Sequence, residues 1–188
     1  MTSTHGKCYH LRLVLNQRIF EELPMSLPSI RKSFTIGFVV CLLLLAGAGY
    51  LQIAQGLKPC PLCEIQRLLM AVLGLVFVFA ALHNPGRRGV NIYSWVIFFM
   101  ALLGALSAGR QLWLQFYPPV DGVSCQASLA YMLQILPLTE SIKLLIMGTG
   151  DCAEVQWHFL GLTMPGWTLI SFAVLGLWGF AQRFRQQT

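Results

Sequence analysis

The sequence predicts an all-α membrane protein, a bundle of four transmembrane helices with short surface helices in its longest loop. Three observations carry this expectation. Hydrophobic residues make up 56% of the 188-residue chain and charged residues only 11%. Soluble domains carry about 25% charge, so too little polar surface remains to clothe a water-soluble fold. The apolar residues gather into four stretches approaching the ~20 residues that a bilayer core requires. None of these stretches alternates apolar with polar residues, which excludes a barrel and leaves helices as the structure that satisfies its backbone inside lipid.

Taken in order, residues 1–32 form an N-terminal segment carrying Lys7, Arg12, Arg18, Arg31 and Lys32. They hold no apolar core followed by a small-residue cleavage site, so they do not read as a secretory signal. Met25 lies just before the first apolar run, and residues 1–24 read either as a start-site artefact or as a disordered tail. The membrane domain covers residues 33–182. Its first span, about 34–52, lies within the charge-free stretch 33–57. The second covers about 64–82, the third about 90–109 and the fourth about 162–181, and residues 183–188 form a tail. Residues 53–66 connect the first two spans and contain Lys58-Pro59-Cys60-Pro61-Leu62-Cys63. Residues 83–89 make a tight basic turn. Residues 110–161 form one long loop, in which Leu129, Met132, Leu133 and Leu136, then Ile142, Leu145 and Ile146, recur at helical spacing on either side of Pro137. That pattern predicts the surface helices.

The net charge of +6 is in the range of nucleic-acid binders, but no dense basic patch is interleaved with aromatics outside the spans. The basic residues instead sort by side. Lys7, Arg12, Arg18, Arg31, Lys32, Arg87, Arg88, Arg183 and Arg185 fall on one side, against Lys58, Arg67, Arg110 and Lys143 on the other. Positive residues favour the cytoplasm, so both termini are expected inside and the cysteine-bearing loops outside. Tyr50, Trp113, Tyr117 and Trp167 fall near the outer span ends, where an interfacial aromatic belt would lie.

Topology sorts the six cysteines. Cys8 falls in the inner tail and Cys41 inside the first span, where it reads as a small apolar residue. Cys60, Cys63, Cys125 and Cys152 fall outside, the even number that two disulfides require in an oxidising compartment. Cys60 and Cys63 form a Cys-x-x-Cys pair at the mouth of the second span. Such a pair can close a reactive disulfide or bind a metal, and zinc would need two further ligands, for which Cys125 and Cys152 are available. A c-type haem is excluded because Glu64, not His, follows Cys63. Cys63 stands at a helix N-terminus, where the dipole favours a thiolate. Arg67 follows one turn later on the same face, either as a snorkelling interfacial charge or as a partner of that thiolate or of a ligand. Cys125 and Cys152 lie in a loop marked by Pro118-Pro119, Asp121-Gly122 and Gly148-Thr149-Gly150. They read as a structural staple or as an exposed, exchangeable link.

The sequence resembles the DsbB family of disulfide bond formation proteins over about residues 30–182. The resemblance is carried by Lys58-Pro59-Cys60-Pro61-Leu62-Cys63 with Gln66-Arg67, by Gly109-Arg110-Gln111-Leu112-Trp113-Leu114-Gln115, and by the run from Gly148 through Asp151-Cys152-Ala153-Glu154 to Met164-Pro165. It implies a four-helix bundle in the bacterial inner membrane. It also implies a periplasmic DsbA-type thioredoxin-fold partner and ubiquinone or menaquinone as electron acceptor. By this resemblance the disulfides are Cys60–Cys63 and Cys125–Cys152. Cys125 meets the partner, Cys152 passes reducing equivalents on, Cys63 faces the quinone, and Arg67 supports both the Cys63 thiolate and the quinone. Members of the family can carry His in the stretch between the third span and Cys125, where a role in quinone binding has been proposed; this chain has Gln111 there, beside Arg110. Outside this reading stand two others: a disulfide-stapled four-span protein without catalysis, and a quinone-linked thiol oxidoreductase with a different partner.

Overall fold

Proline and glycine punctuate the chain where the helices begin and end. The computed structural model describes residues 29–54, 56, 59–118, 134, 137, 139, 152–153, 155 and 157–186. Four helices dominate: α1 (Ile30–Ala54), α2 (Pro61–His83), α3 (Arg87–Phe116) and α4 (Met164–Ala181). Pro61 opens α2 and Pro165 opens α4, positions where proline's missing N–H costs nothing because the first turn has no intrahelical acceptor for it. Asn84 closes α2 in the left-handed conformation, with φ 42°, which its short polar side chain tolerates better than most. All four helices are long and apolar enough to cross a membrane.

Each expected span falls largely within one helix, and two of the helix ends differ from the expected bounds. The third span was expected over about 90–109, but α3 runs to Phe116. Arg110 and Gln111 are good helix formers, and the turn they begin is stabilised by packing, since Gln111 and Leu114 are buried. The fourth was expected from 162, but Leu162 and Thr163 form a strand paired with His158 and Phe159. Leu160 and Gly161 make the two-residue turn, both with positive φ (51° and 79°), as a tight hairpin demands. Thr163, in extended backbone, caps α4. The surface helices expected between residues 129 and 146 lie almost wholly outside the described residues, as do residues 1–24, Cys8 and Cys125.

The helices run alternately up and down. α3 packs most extensively on α4, α1 on α2 and α2 on α3. Phe34, Leu73, Phe77, Ile97 and Phe172 are fully enclosed at the centre. Close approach depends on missing side chains: a Cβ on Gly104 would lie 2.3 Å from the Phe172 ring, and one on Gly37 2.6 Å from Phe77. Outward, the polarity of a soluble protein is inverted. Leu43, Phe79, Leu106 and Leu177 are each more than half exposed, so lipid is the solvent these faces match. The chain is thus a multi-pass membrane protein. At the end opposite the thiols, Trp178 Nε1 donates to the Ser33 carbonyl at 3.3 Å and Arg185 Nη1 to Ser33 Oγ at 2.9 Å. There the Arg183 guanidinium lies 5.2 Å from the Trp95 ring and 5.1 Å from that of Phe180.

Candidate active site

Cys60 is both the last residue of the loop and the cap of α2. Its backbone is extended (φ −76°, ψ 162°) and its sulfur accepts the Cys63 backbone N–H at 3.4 Å. Its carbonyl accepts the Glu64 N–H at 3.1 Å. The Pro61-Leu62 insert therefore forces both sulfurs onto one helix N-terminus, where unpaired N–H groups favour negative charge. The two Sγ atoms stand 2.9 Å apart as free thiols. This is the proximity that the pairing expected from the resemblance requires.

Cys152 joins them. It is buried to 1% exposure and packs with Cys60, Leu62 and Leu114, with Cys63 at the edge of the cluster. Its sulfur lies within hydrogen-bonding reach of Cys60. In this arrangement Cys152 already stands beside the pair, without further motion of the loop. Hydrogen bonding to Cys152, then to Cys63, and burial all push the Cys60 thiol upward, so that Cys60 holds its proton firmly. The position of Cys125, expected as the mate of Cys152, lies outside the described residues.

Two buried amides complete the thiol cluster. Gln111 of α3 donates through Nε2 to Cys63 Sγ at 3.1 Å and to Cys60 Sγ at 3.4 Å. Its Oε1 accepts from Gln66 Nε2 at 2.8 Å. Both glutamines are 4% exposed. Both belong to the motifs that carry the family resemblance, but no residue pattern shows that the two side chains meet. Beyond that, their signal in the sequence is that each is a polar residue on a helical face otherwise turned inward.

Arg67, one turn beyond Cys63, reaches across to α1. Nη1 donates to Gln52 Oε1, and Nη2 donates to the Ala48 carbonyl at 3.1 Å. Of the two roles open to it in the sequence, solitary snorkelling does not describe this geometry: the guanidinium is bound at a fixed position beside the thiols. A cavity of about 390 Å³ opens next to it, with Cys60, Cys63, Arg67 and Gln111 at one wall and mostly apolar residues from α1 and α4, among them Leu44, Leu51 and Pro165, around the rest. The aromatic hairpin closes one side through Trp157 and Phe159, whose rings stack at 5.7 Å, and Trp167 Nε1 ties to the Phe159 carbonyl at 3.0 Å. Among the described residues, no group of three or more His, Cys, Asp or Glu is arranged to hold a metal ion.

Comparison with known proteins matches this constellation to a family. The family model described as disulfide bond formation protein DsbB matches residues 30–182. Disulfide bond formation protein B of Nitrosococcus oceani is 47% identical over 149 residues, spanning 79% of this chain and 88% of that protein. The Methylococcus capsulatus protein of the same name is 45% identical over 158 residues, 84% of this chain and 96% of its own length. Disulfide bond formation protein B 1 of Pseudomonas aeruginosa is 43% identical over 153 residues, 81% and 94% respectively. With a match across the whole membrane domain and relatives of this similarity covered almost end to end, the chain belongs to the DsbB family of disulfide bond formation proteins.

Proposed function

We propose that this protein, a disulfide-forming oxidoreductase, reoxidises a DsbA-type dithiol protein in the periplasm and delivers the electrons to a membrane quinone, ubiquinone or menaquinone. The observation that carries this reading is the convergence of Cys152, Cys60 and Cys63 at the wall of a largely apolar intramembrane cavity. One thiol of the long loop, the Cys-x-x-Cys pair and a space suited to a lipid-soluble ring then form a continuous series. The excess of arginine and lysine at the opposite end supports a thiol end on the periplasmic side of the inner membrane, with both termini cytoplasmic.

The exchange steps balance as follows. A thiolate of the reduced partner attacks Cys125 in the Cys125–Cys152 disulfide, forming a mixed disulfide and releasing Cys152. The partner's second thiol resolves this link, and Cys125 and Cys152 hold the two electrons. The Cys152 thiolate attacks Cys60 Sγ; the Cys60–Cys63 bond breaks and its electron pair stays on Cys63. Cys125 then displaces Cys60 from Cys152, restoring the loop disulfide and leaving the Cys60–Cys63 dithiol. Its raised thiol pKa makes Cys60 the poorer leaving group of the pair, so attack falls on Cys60 and Cys63 departs; the proton that Cys60 takes up on its later release is then held firmly. Departure of Cys63 is favoured by the helix N-terminus and the Gln111 N–H.

The cavity fits a quinone. Its volume falls in the range of small-molecule sites, its walls are mostly apolar, and the guanidinium of Arg67 and the sulfur of Cys63 supply polar groups at one end. These two residues would hold the ring. When bound, a quinone supplies a sink for two electrons and two protons. The test is turnover of the full-length protein with reduced DsbA-type partner and a soluble quinone analogue under anaerobic conditions. The parent should reduce quinone, Cys63→Ser should not, and Cys125→Ser should fail to oxidise the partner. Normal turnover by either variant overturns the assignment.

A further inference from the structure

The Gln66–Gln111 pair is an anomaly in a membrane helix bundle. Two carboxamides are buried between α2 and α3 at a depth where each unmet polar atom is expensive. Their hydrogen bonds run in one direction only: Gln66 Nε2 gives to Gln111 Oε1 at 2.8 Å, which leaves Gln111 Nε2 to face the sulfurs of Cys63 at 3.1 Å and Cys60 at 3.4 Å. Reversing the Gln111 amide would set its NH2 against the NH2 of Gln66 and its carbonyl oxygen against the sulfurs, a donor facing a donor and an acceptor facing a thiolate. The Gln66 donor therefore fixes which face Gln111 shows to the dithiol. Cys63 also lines the cavity, so the same amide sits between the sulfur pair and the ligand space.

We propose that Gln111 is a catalytic N–H donor that stabilises the thiolate left on Cys63 when the Cys60–Cys63 disulfide is opened, with Gln66 as the positioning residue that orients it. The proposal rests on the redox reading of this cysteine pair. In the step concerned, the incoming thiolate bonds to Cys60 Sγ, the Cys60–Cys63 bond breaks, and the electron pair remains on Cys63 Sγ. That sulfur becomes the stronger acceptor at the moment of bond breaking, so a donor already aimed at it strengthens without reorganising. An amide does this without titrating. A histidine at the same position would donate from both ring nitrogens only when protonated; the amide presents its N–H at every working pH.

The test measures alkylation of Cys63 against pH in the reduced full-length protein, located by mass spectrometry, together with the rate at which a small dithiol opens the Cys60–Cys63 disulfide. Gln111→Leu should move the Cys63 profile to higher pH and slow opening by about 10- to 100-fold, the range for a hydrogen bond to a charged group. Gln66→Leu should do the same more weakly. The double variant should be no slower than Gln111→Leu alone, because Gln66 acts only through Gln111. If Gln111→Leu does not fold, the isosteric Gln111→Glu carries the same expectation. A Cys63 profile and opening rate equal to the parent's in a folded Gln111 variant overturn the proposal, and additive effects in the double variant overturn the role of Gln66. Failure of the redox reading looks different: Cys63→Ser would then retain quinone turnover whatever the glutamine variants do.

Discussion

Arg67 shows how one side chain can tie two helices together at the wall of the proposed site. Its stem rises beside Cys63, and its guanidinium joins α2 to α1 through the Gln52 side chain and the Ala48 carbonyl. A planar fork makes both contacts at fixed angles; an ammonium does not. Arg67→Ala should therefore reduce quinone turnover by about 10- to 100-fold, mainly through KM, with Arg67→Lys intermediate. An unchanged KM for a quinone analogue in both variants would remove Arg67 from the binding site. Cys60 offers a second residue-scale prediction. Because the Cys152 hydrogen bond is the largest cause of its raised pKa, Cys60 should stay protonated as pH rises through the ordinary thiol range, and so alkylate slowly. Cys152→Ala removes that cause and should speed Cys60 alkylation at mildly alkaline pH, read by mass spectrometry; an unchanged rate would separate the two sulfurs. At this scale the sequence was partly transparent. Cys60, Cys63 and Arg67 declare themselves because their spacing along one helix is itself the geometry. Gln66, Gln111 and the placement of Cys152 depend on contacts between α2, α3 and the long loop, and no local pattern encodes such contacts.

Among the elements, α3 and α4 meet most closely where Gly104 leaves room for the fully buried ring of Phe172. In lipid, helices gain little from burying apolar surface against one another and rely on close packing through small residues. Gly104→Val should cost about 1–3 kcal/mol by overpacking, measured as a lowered unfolding midpoint in detergent. Gly109, on the same helix with nothing within 4 Å of its added Cβ, is the control: Gly109→Ala should be neutral or stabilising by up to about 1 kcal/mol. Equal losses at the two positions would mean that the α3–α4 contact is not what Gly104 protects. The spans were legible because a run of apolar residues long enough for a bilayer has few alternative fates. Their ends were less so. α3 continues past the apolar run because Gln111 and Leu114 find tertiary burial there. The hairpin before α4 is too short to display strand periodicity, and Gly161 alone marked its turn.

For the whole molecule, the arrangement of charge bears on where the proposed relay would operate. The helices alternate in direction, so every described thiol except that of Cys41 lies at one end of the bundle. Arg31, Lys32, Arg87, Arg88, Arg183 and Arg185 belong to the other end, against Arg67 and Arg110 near the thiols. Translocating a basic cluster of that size is disfavoured, and this supports the proposed orientation, with the cluster in the cytoplasm and the cysteines towards the periplasm. In the proposed orientation the thiols would face an oxidising compartment, without the thiol buffers of the cytosol that would short-circuit a disulfide relay. The expected outcome is specific. In intact cells after mild reduction, a membrane-impermeant maleimide should label Cys63. A cysteine placed at Gly86, exposed in the turn between α2 and α3 with nothing within 4 Å of an added Cβ, should label only after the membrane is opened. If the Gly86→Cys site labels first and Cys63 stays protected until permeabilisation, the bundle is inserted the other way. Its dithiol would then face a reducing pool with no periplasmic donor in reach.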